Sequence, residues 1–418
     1  MFIIYDIIFL LFAIAYLPYL VLKRKWHEGL WMRFGFSLPP RMGAKKIIWV
    51  HAVSVGEVLV VLNLIQKIQE RFPGYGIVLS TVTSTGHALA LQKLQGTCPV
   101  IYAPFDFSWV VRKYAAILDP VLYISAETEI WPNLFTCLHK RNVPIVEVNG
   151  RISDKAFAGY RKVYFLTRRV LRGVRLLCMQ SQEDARRIIA LGADEKMVRV
   201  VGNLKFDNLH RETSVKKEDL GFREQDRLFI AGSTYPGEEK IVLDVYNSLK
   251  IQFPFLRLII APRRVERANE VARLCGYVGL LPQKFSDNPV TFMADASTVL
   301  IIDRIGYLRD LYGLADVVFI GKSLRGAGGQ NMLEPLVLGK PTLVGPRTEN
   351  FRDIVNIFTP TGALLEVNTP QEMIAQLRSL LYDPQRCARV GLAAQQEVAR
   401  HQGATEVTVR AIEEILGP

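Results

Sequence analysis

Short apolar runs alternate with longer stretches of helical period along most of the chain. Ile47 to Val50, Gly76 to Thr81, Val100 to Tyr102, Val121 to Ser125, Val143 to Val148 and Leu176 to Met179 read as strands. A helical pattern from Glu57 to Phe72 separates the first two, and a Thr/Ser/Gly turn leads to a helix near His87. The polar segment Asp207 to Asp226 breaks the rhythm and reads as a link between domains. The alternation restarts with Leu228 to Ala231, Leu256 to Ala261, Thr298 to Ile302, Val317 to Ile320 and Pro341 to Val344. Apolar strands spaced by helices predict parallel sheets covered on both faces. The expected fold class is α/β, with two Rossmann-like doubly wound domains facing a central cleft. Ligands are expected at the carboxyl ends of the strands.

The chain has 418 residues, enough for two cores, and its 50% hydrophobic content excludes wholesale disorder. A net charge of +12 calls for an anionic partner, nucleic acid or membrane. The amino terminus favours the membrane. Phe2 to Leu22 is apolar apart from Asp6, several tyrosines and Pro18. That is about the 20 residues needed to cross a bilayer. Lys23, Arg24 and Lys25 follow at once, then Arg33, Arg41, Lys45 and Lys46, which places the remainder on the cytoplasmic side. No small-residue cleavage site follows, so a retained anchor is expected, either spanning or interfacial. Lys155 to Arg175 holds seven basic residues and no acidic one, with Val163, Leu166, Val170 and Val174 at helical spacing. A basic amphipathic helix suits an anionic lipid surface or simply a solvated face. Nucleic acid is disfavoured, because no recognition motif accompanies the charge. Five scattered cysteines and six dispersed histidines give no metal spacing.

The candidate chemistry sits in loops after the strands. His51 to Glu57 puts a carboxylate at a helix start, where it complements the helix dipole or acts as a general base. Glu127 to Asn133 crowds two carboxylates and Trp131 into one loop. Asn149 to Ser153 forms a third loop, and Gly202 to Asp207 brings Lys205 near the end of the first domain. Gly232 to Glu239 is a turn of the kind that binds phosphate or caps a helix, and Ala261 to Arg267 offers Arg263 to an anion. Gly326 to Pro335 joins a glycine run to a helix expected from about Gln330. Asn331 and Glu334, three residues apart, share one side of its first turn. Amides with a dipole end suit a phosphate and a carboxylate suits a ribose diol, which together describe a nucleotide.

In this order and spacing the loops resemble those of the Kdo transferases, glycosyltransferase family 30, with Gly345-Pro346 and Asn350-Phe351 as further marks. These enzymes move 3-deoxy-D-manno-octulosonic acid (Kdo) from CMP-Kdo to a lipid A precursor. The resemblance implies a GT-B fold with an anchor at 1–22, an acceptor domain at 23–210 and a CMP-sugar domain at 211–418. It implies Glu57 as the general base of an inverting attack, with Glu127 and Lys205 supporting charge in the transition state. It assigns CMP to Pro262, Arg263, Ile305, Gly306, Tyr307, Asn331, Met332, Leu333 and Glu334. Arg161, Lys162, Arg168, Arg169 and Arg172 would then meet the acceptor's phosphates or the membrane. No cofactor and no metal are implied. The expected partner is an anionic lipid A precursor at the cytoplasmic face of the inner membrane. Two departures stand out: Tyr307 replaces the family's usual glutamate, and Lys322 replaces a usual glycine. They leave open a related GT-B enzyme using a UDP-sugar, or a catalytically silent lipid binder.

Overall fold

The structure, a computed structural model, describes residues 5–11, 29–40, 43, 46–209, 213, 215–287 and 295–417. The chain divides into two compact units, 1–208 with 401–418, and 209–400.

The first unit contains β1 (Lys46–Ala52), β2 (Tyr75–Thr81), β3 (Val100–Tyr102), β4 (Pro120–Ala126), β5 (Ile145–Gly150), β6 (Leu176–Met179) and β7 (Val198–Val200). They form one parallel sheet in the order β3-β2-β1-β4-β5-β6-β7. The central strands are buried on both faces, as parallel sheets require. Trp49, Tyr123, Ile145 and Leu177 enter one core, while Ile48, Val50, Leu122 and Val148 enter the other. Chain order reverses between β1 and β4, which opens a ligand crevice outside their carboxyl ends. The turn after β1 carries the His51 to Glu57 motif, and the turn after β4 carries Glu127 and Glu129.

The second unit repeats the plan with β8 (Arg227–Thr234), β9 (Leu256–Pro262), β10 (Leu281–Lys284), β11 (Thr298–Ile301), β12 (Val317–Ile320), β13 (Thr342–Val344) and β14 (Leu364–Glu366). Their order is β10-β11-β9-β8-β12-β13-β14, all parallel, with the reversal between β8 and β12. The glycine-rich loop leaves the end of β12. The expectation of two parallel α/β sheets therefore holds.

Several sequence expectations are corrected. The second unit ends at Arg400, whereas 211–418 was expected as one domain. Helix Ala404–Leu416 belongs to the first unit because Ala404, Val409, Ala411 and Ile412 complete one of its cores. Asp207 also caps that helix, accepting from Gly403 N and Thr405 N, each at 2.6 Å. The helix expected from Gln330 starts at Leu333 and has five residues. The single basic helix is two short ones, Asp154–Lys162 and Tyr164–Leu171, broken at Val163, whose side chain is exposed. The anchor expected at 1–22 lies outside the described residues apart from the helical stretch 5–11. Among the described residues no helix is long and apolar enough to cross a membrane.

Candidate active site

Glu57 sits in the first turn of helix Val55–Arg71, behind the N-cap Ser54. Its Oε2 accepts from Val53 N at 2.7 Å and its Oε1 accepts from Ser54 Oγ at 2.9 Å. Ser54 Oγ in turn accepts from Glu57 N, which completes a capping box. Helix capping therefore holds the carboxylate in one place while it remains a potential base. Burial raises its pKa against the opposing effect of these hydrogen bonds, and the negative charge of Glu127 raises it further. Both effects favour a group that accepts a proton.

Glu127 follows β4 at a positive φ of 57°, with its N–H donating to Val148 O at 2.9 Å. A non-glycine residue in that region is uncommon, and here it turns the side chain at a strand end. Lys205 Nζ stands 3.8 Å from Glu127 Oε1. Lys205 lies in the short 3-10 turn Leu204–Phe206, capped by Asn203. Asn149, at the end of β5 and also at positive φ, accepts from Leu204 N at 3.0 Å and ties that turn to the sheet. The structure thus brings Glu127 and Lys205 together across about eighty residues of sequence, with Glu57 within electrostatic reach.

Two further acids belong to this cluster. Glu129 has its pKa raised to about 7, first by burial and then by Glu57 and Glu127. Glu147 lies on β5, fully buried, and neither of its oxygens has a protein partner. Burial pushes its pKa well up and the negative charge of Glu129 adds to the shift. In register, Ser80, His51, Ser125 and Glu147 form a polar row across β2, β1, β4 and β5. His51 accepts or donates at Nδ1 with Ser80 Oγ, 2.9 Å away, and burial lowers its pKa to about 3, so it is neutral. The sequence carried one signal for this row: Glu147 interrupts the apolar run Ile145 to Val148.

In the second unit, Arg263 N donates to Thr234 O at 3.0 Å, which joins the ends of β9 and β8. Arg263 Nε reaches Gln330 Oε1 at 3.1 Å. Asn331 Nδ2 donates to Glu334 Oε1 at 2.9 Å, and Asn331 Oδ1 accepts from Leu333 N at 3.2 Å. Burial raises the pKa of Glu334. Met332 and Leu333 are buried and serve as the floor of this turn. Pro262 closes β9, and Gly306 has φ +99° between the exposed Ile305 and Tyr307. Tyr307 packs on Phe285, ring centroids 4.8 Å apart, and opens a helix that packs against the one bearing Glu334.

The Gly232 to Glu239 turn gives helix Glu238–Leu249 no side-chain cap, and its Glu238 binds a neighbouring loop instead. Glu238 is fully buried, and its carboxylate accepts from Lys322 N (2.6 Å), Ser323 N (2.9 Å) and Leu324 N (2.8 Å). An amide cluster suited to a phosphate is thus filled by the protein's own anion, tying the loop after β12 to the start of helix Glu238–Leu249. Lys322 holds φ +57°, the conformation that glycine adopts without cost. Arg161, Lys162, Arg168, Arg169 and Arg172 are all exposed in the first unit, flanking the exposed Val163, Tyr164 and Phe165.

The family model described as 3-Deoxy-D-manno-octulosonic-acid transferase (kdotransferase) matches residues 28–208, and Glycosyl transferases group 1 matches 297–397. The 3-deoxy-D-manno-octulosonic acid transferase of Haemophilus influenzae is 31% identical over 91% of this chain and 90% of its own. The chain belongs to the Kdo transferase family. That family is one of glycosyltransferases, and the same protein name recurs in Bordetella pertussis at 29% identity over 92% of this chain and 90% of the relative. A bifunctional glycosyltransferase/methyltransferase of Fusobacterium nucleatum is 33% identical over 80% of this chain, which spans only 53% of that relative. Among solved structures, the UDP-GlcNAc 2-epimerase of Neisseria meningitidis superposes with a TM-score of 0.62 at 12% identity. The match covers 88% of this chain and all of the epimerase chain, and it shows the shared two-sheet fold. MurG of Acinetobacter baumannii does the same at a TM-score of 0.55 and 13% identity, over 88% of this chain and 99% of its own.

Proposed function

We propose that this chain transfers Kdo from CMP-Kdo to a lipid A precursor with inversion, using Glu57 as the general base. The observation that carries the reading is the desolvated, capped Glu57 beside the Glu127–Lys205 pair at the switch point of the first sheet. In the step, a hydroxyl oxygen of the acceptor forms a bond to the anomeric carbon of Kdo. The bond from that carbon to the CMP phosphate oxygen breaks, CMP leaves with the electron pair, and Glu57 takes the hydroxyl proton. Lys205, oriented by Glu127, supports negative charge that develops as the bonds exchange. Arg263, the Ile305 to Tyr307 turn and Asn331 to Glu334 bind CMP, with Glu334 suited to the ribose hydroxyls. Metal is not required in this scheme. The exposed cations Arg161, Lys162, Arg168, Arg169 and Arg172 bind acceptor phosphates at the cytoplasmic face of the inner membrane.

The test is a turnover assay with CMP-Kdo generated in place and a tetraacylated lipid A precursor, read by mass spectrometry. Wild type should add Kdo, and folded Glu57→Gln should lose turnover by roughly a hundredfold or more. A folded wild type that binds the lipid and adds no sugar overturns the reading.

A further inference from the structure

Asp6 interrupts the amino-terminal apolar run, and the structure gives the interruption a use. Phe9, one helical turn on, packs edge-on against Phe107 with centroids 4.9 Å apart. Ile7, Ile8, Leu10 and Leu11 are exposed, so Asp6 and Phe9 are the docked side of this stretch. Asp6 Oδ1 accepts from Ser108 N at 3.0 Å and from Asn133 Nδ2 at 2.7 Å.

Both partners start helices that lack a cap of their own. Ser108 opens Ser108–Leu118 behind Phe107, and Asn133 is the second residue of Pro132–Lys140 behind Trp131. Neither aromatic N-cap side chain can accept from the free amides, so distant aspartates do so. Asp106, itself buried, accepts from Asn133 N at 3.0 Å and Leu134 N at 2.8 Å. Asn133 Nδ2 also donates to Asp106 O. Asn133, which is buried, is therefore the post on which both aspartates converge.

That post ends the loop carrying Glu127 and Glu129. The loop's near end is held by Glu127 N on Val148 O and by Thr128 Oγ1, which accepts from Arg151 N at 3.0 Å. At its far end Trp131 lies edge-on to the His51 ring, and Asn133 follows. We propose that Asp6 is a positioning residue, fastening the amino-terminal segment to Asn133 and so setting the loop that presents Glu127 and Glu129. The described stretch 5–11 is then part of the site's scaffold. The activity arm of this inference rests on the proposed transfer; the tie itself does not.

The test uses the full-length protein with Asp6→Ala and Asp6→Asn, the second keeping an oxygen that accepts. Hydrogen exchange should rise across 127–140 in Asp6→Ala, with the peptide 238–249 unchanged as an internal reference. The kcat for transfer should fall roughly tenfold, as misplacement of a catalytic group predicts, while KM for CMP-Kdo stays put. Asp6→Asn should restore most of both. Unchanged exchange across 127–134 in Asp6→Ala overturns the tie. Raised exchange there with unaltered kcat overturns the positioning role. Wild type without any transfer would instead sink the proposed function, and the exchange result would still decide the tie.

Discussion

Glu57 performs two tasks with one carboxylate, and they make different demands on its proton. Capping is served best by the anion, and a base must also be an anion before it acts. Burial and the neighbouring charge of Glu127 raise its pKa, so the acid limb of kcat/KM is expected above the ordinary carboxylate range. Glu127→Gln removes one of those two causes. Its rate should fall, and its acid limb should move to lower pH; a pH–rate profile of both enzymes reads this directly. Glu129 makes a separate stability prediction. It holds its proton up to about 7 when folded and gives it up near 4.5 when unfolded, so folding takes up a proton between those values. Its contribution is full below 4.5 and is lost as pH rises through about 7. Glu129→Gln should therefore be more stable than wild type above neutrality, on the order of 1–3 kcal/mol. The gap should close in acid, as thermal unfolding across pH will show. Glu57, Glu127 and Lys205 stand out as candidates in the sequence because they lie in loops at strand ends that match the family's motifs in order and spacing. Glu147 and Asp106 do not, because their importance arises from burial and from partners far along the chain.

At the scale of elements, the apolar period revealed the strands buried on both faces and the edge strand β3, and missed the other three edges. β7, β10 and β14 are short, lie at or next to a sheet edge and bury few side chains, so their sequences carry little alternation to read. The basic stretch after Ser153 reads as one helix because Val163, Leu166, Val170 and Val174 recur at helical spacing among its cations. The structure breaks it at Val163, and the second half buries Val170 and Leu171 while the first buries nothing. The closing helix was assigned to the wrong unit for a related reason. An amphipathic period shows that a helix needs a partner surface, and says nothing of which sheet supplies it. Ile412 is fully buried in the first unit's core, so Ile412→Ala should cost about 2–5 kcal/mol. Asp207→Ala, which uncaps the same helix, should cost about 1 kcal/mol. Both losses belong to the first unit, so a denaturant titration with a probe in each unit should move that unit's transition and leave the other's midpoint in place.

At the scale of the whole molecule, the net charge of +12 favours an anionic partner without locating the contact. A candidate location lies in the first unit. Arg161, Lys162, Arg168, Arg169 and Arg172 are exposed, and Val163, Tyr164 and Phe165 between them are exposed too. Cations draw the surface to a bilayer of anionic lipid, while two aromatic side chains and a β-branched one can enter the headgroup region. Each cation near such a surface contributes about 1 kcal/mol, an effect that falls away within a Debye length. Replacing all five by glutamine should therefore weaken binding to phosphatidylglycerol vesicles by roughly a hundredfold or more, allowing for charges that do not reach the lipid. Raising salt should weaken wild type in the same direction and the variant much less. Binding to neutral phosphatidylcholine vesicles should change little, because the exposed apolar side chains remain. Vesicle sedimentation across lipid composition and ionic strength separates these outcomes. Equal losses on both vesicle types would mean that the substitutions disturbed the fold around Thr167 and Val170 instead of removing a charge contact.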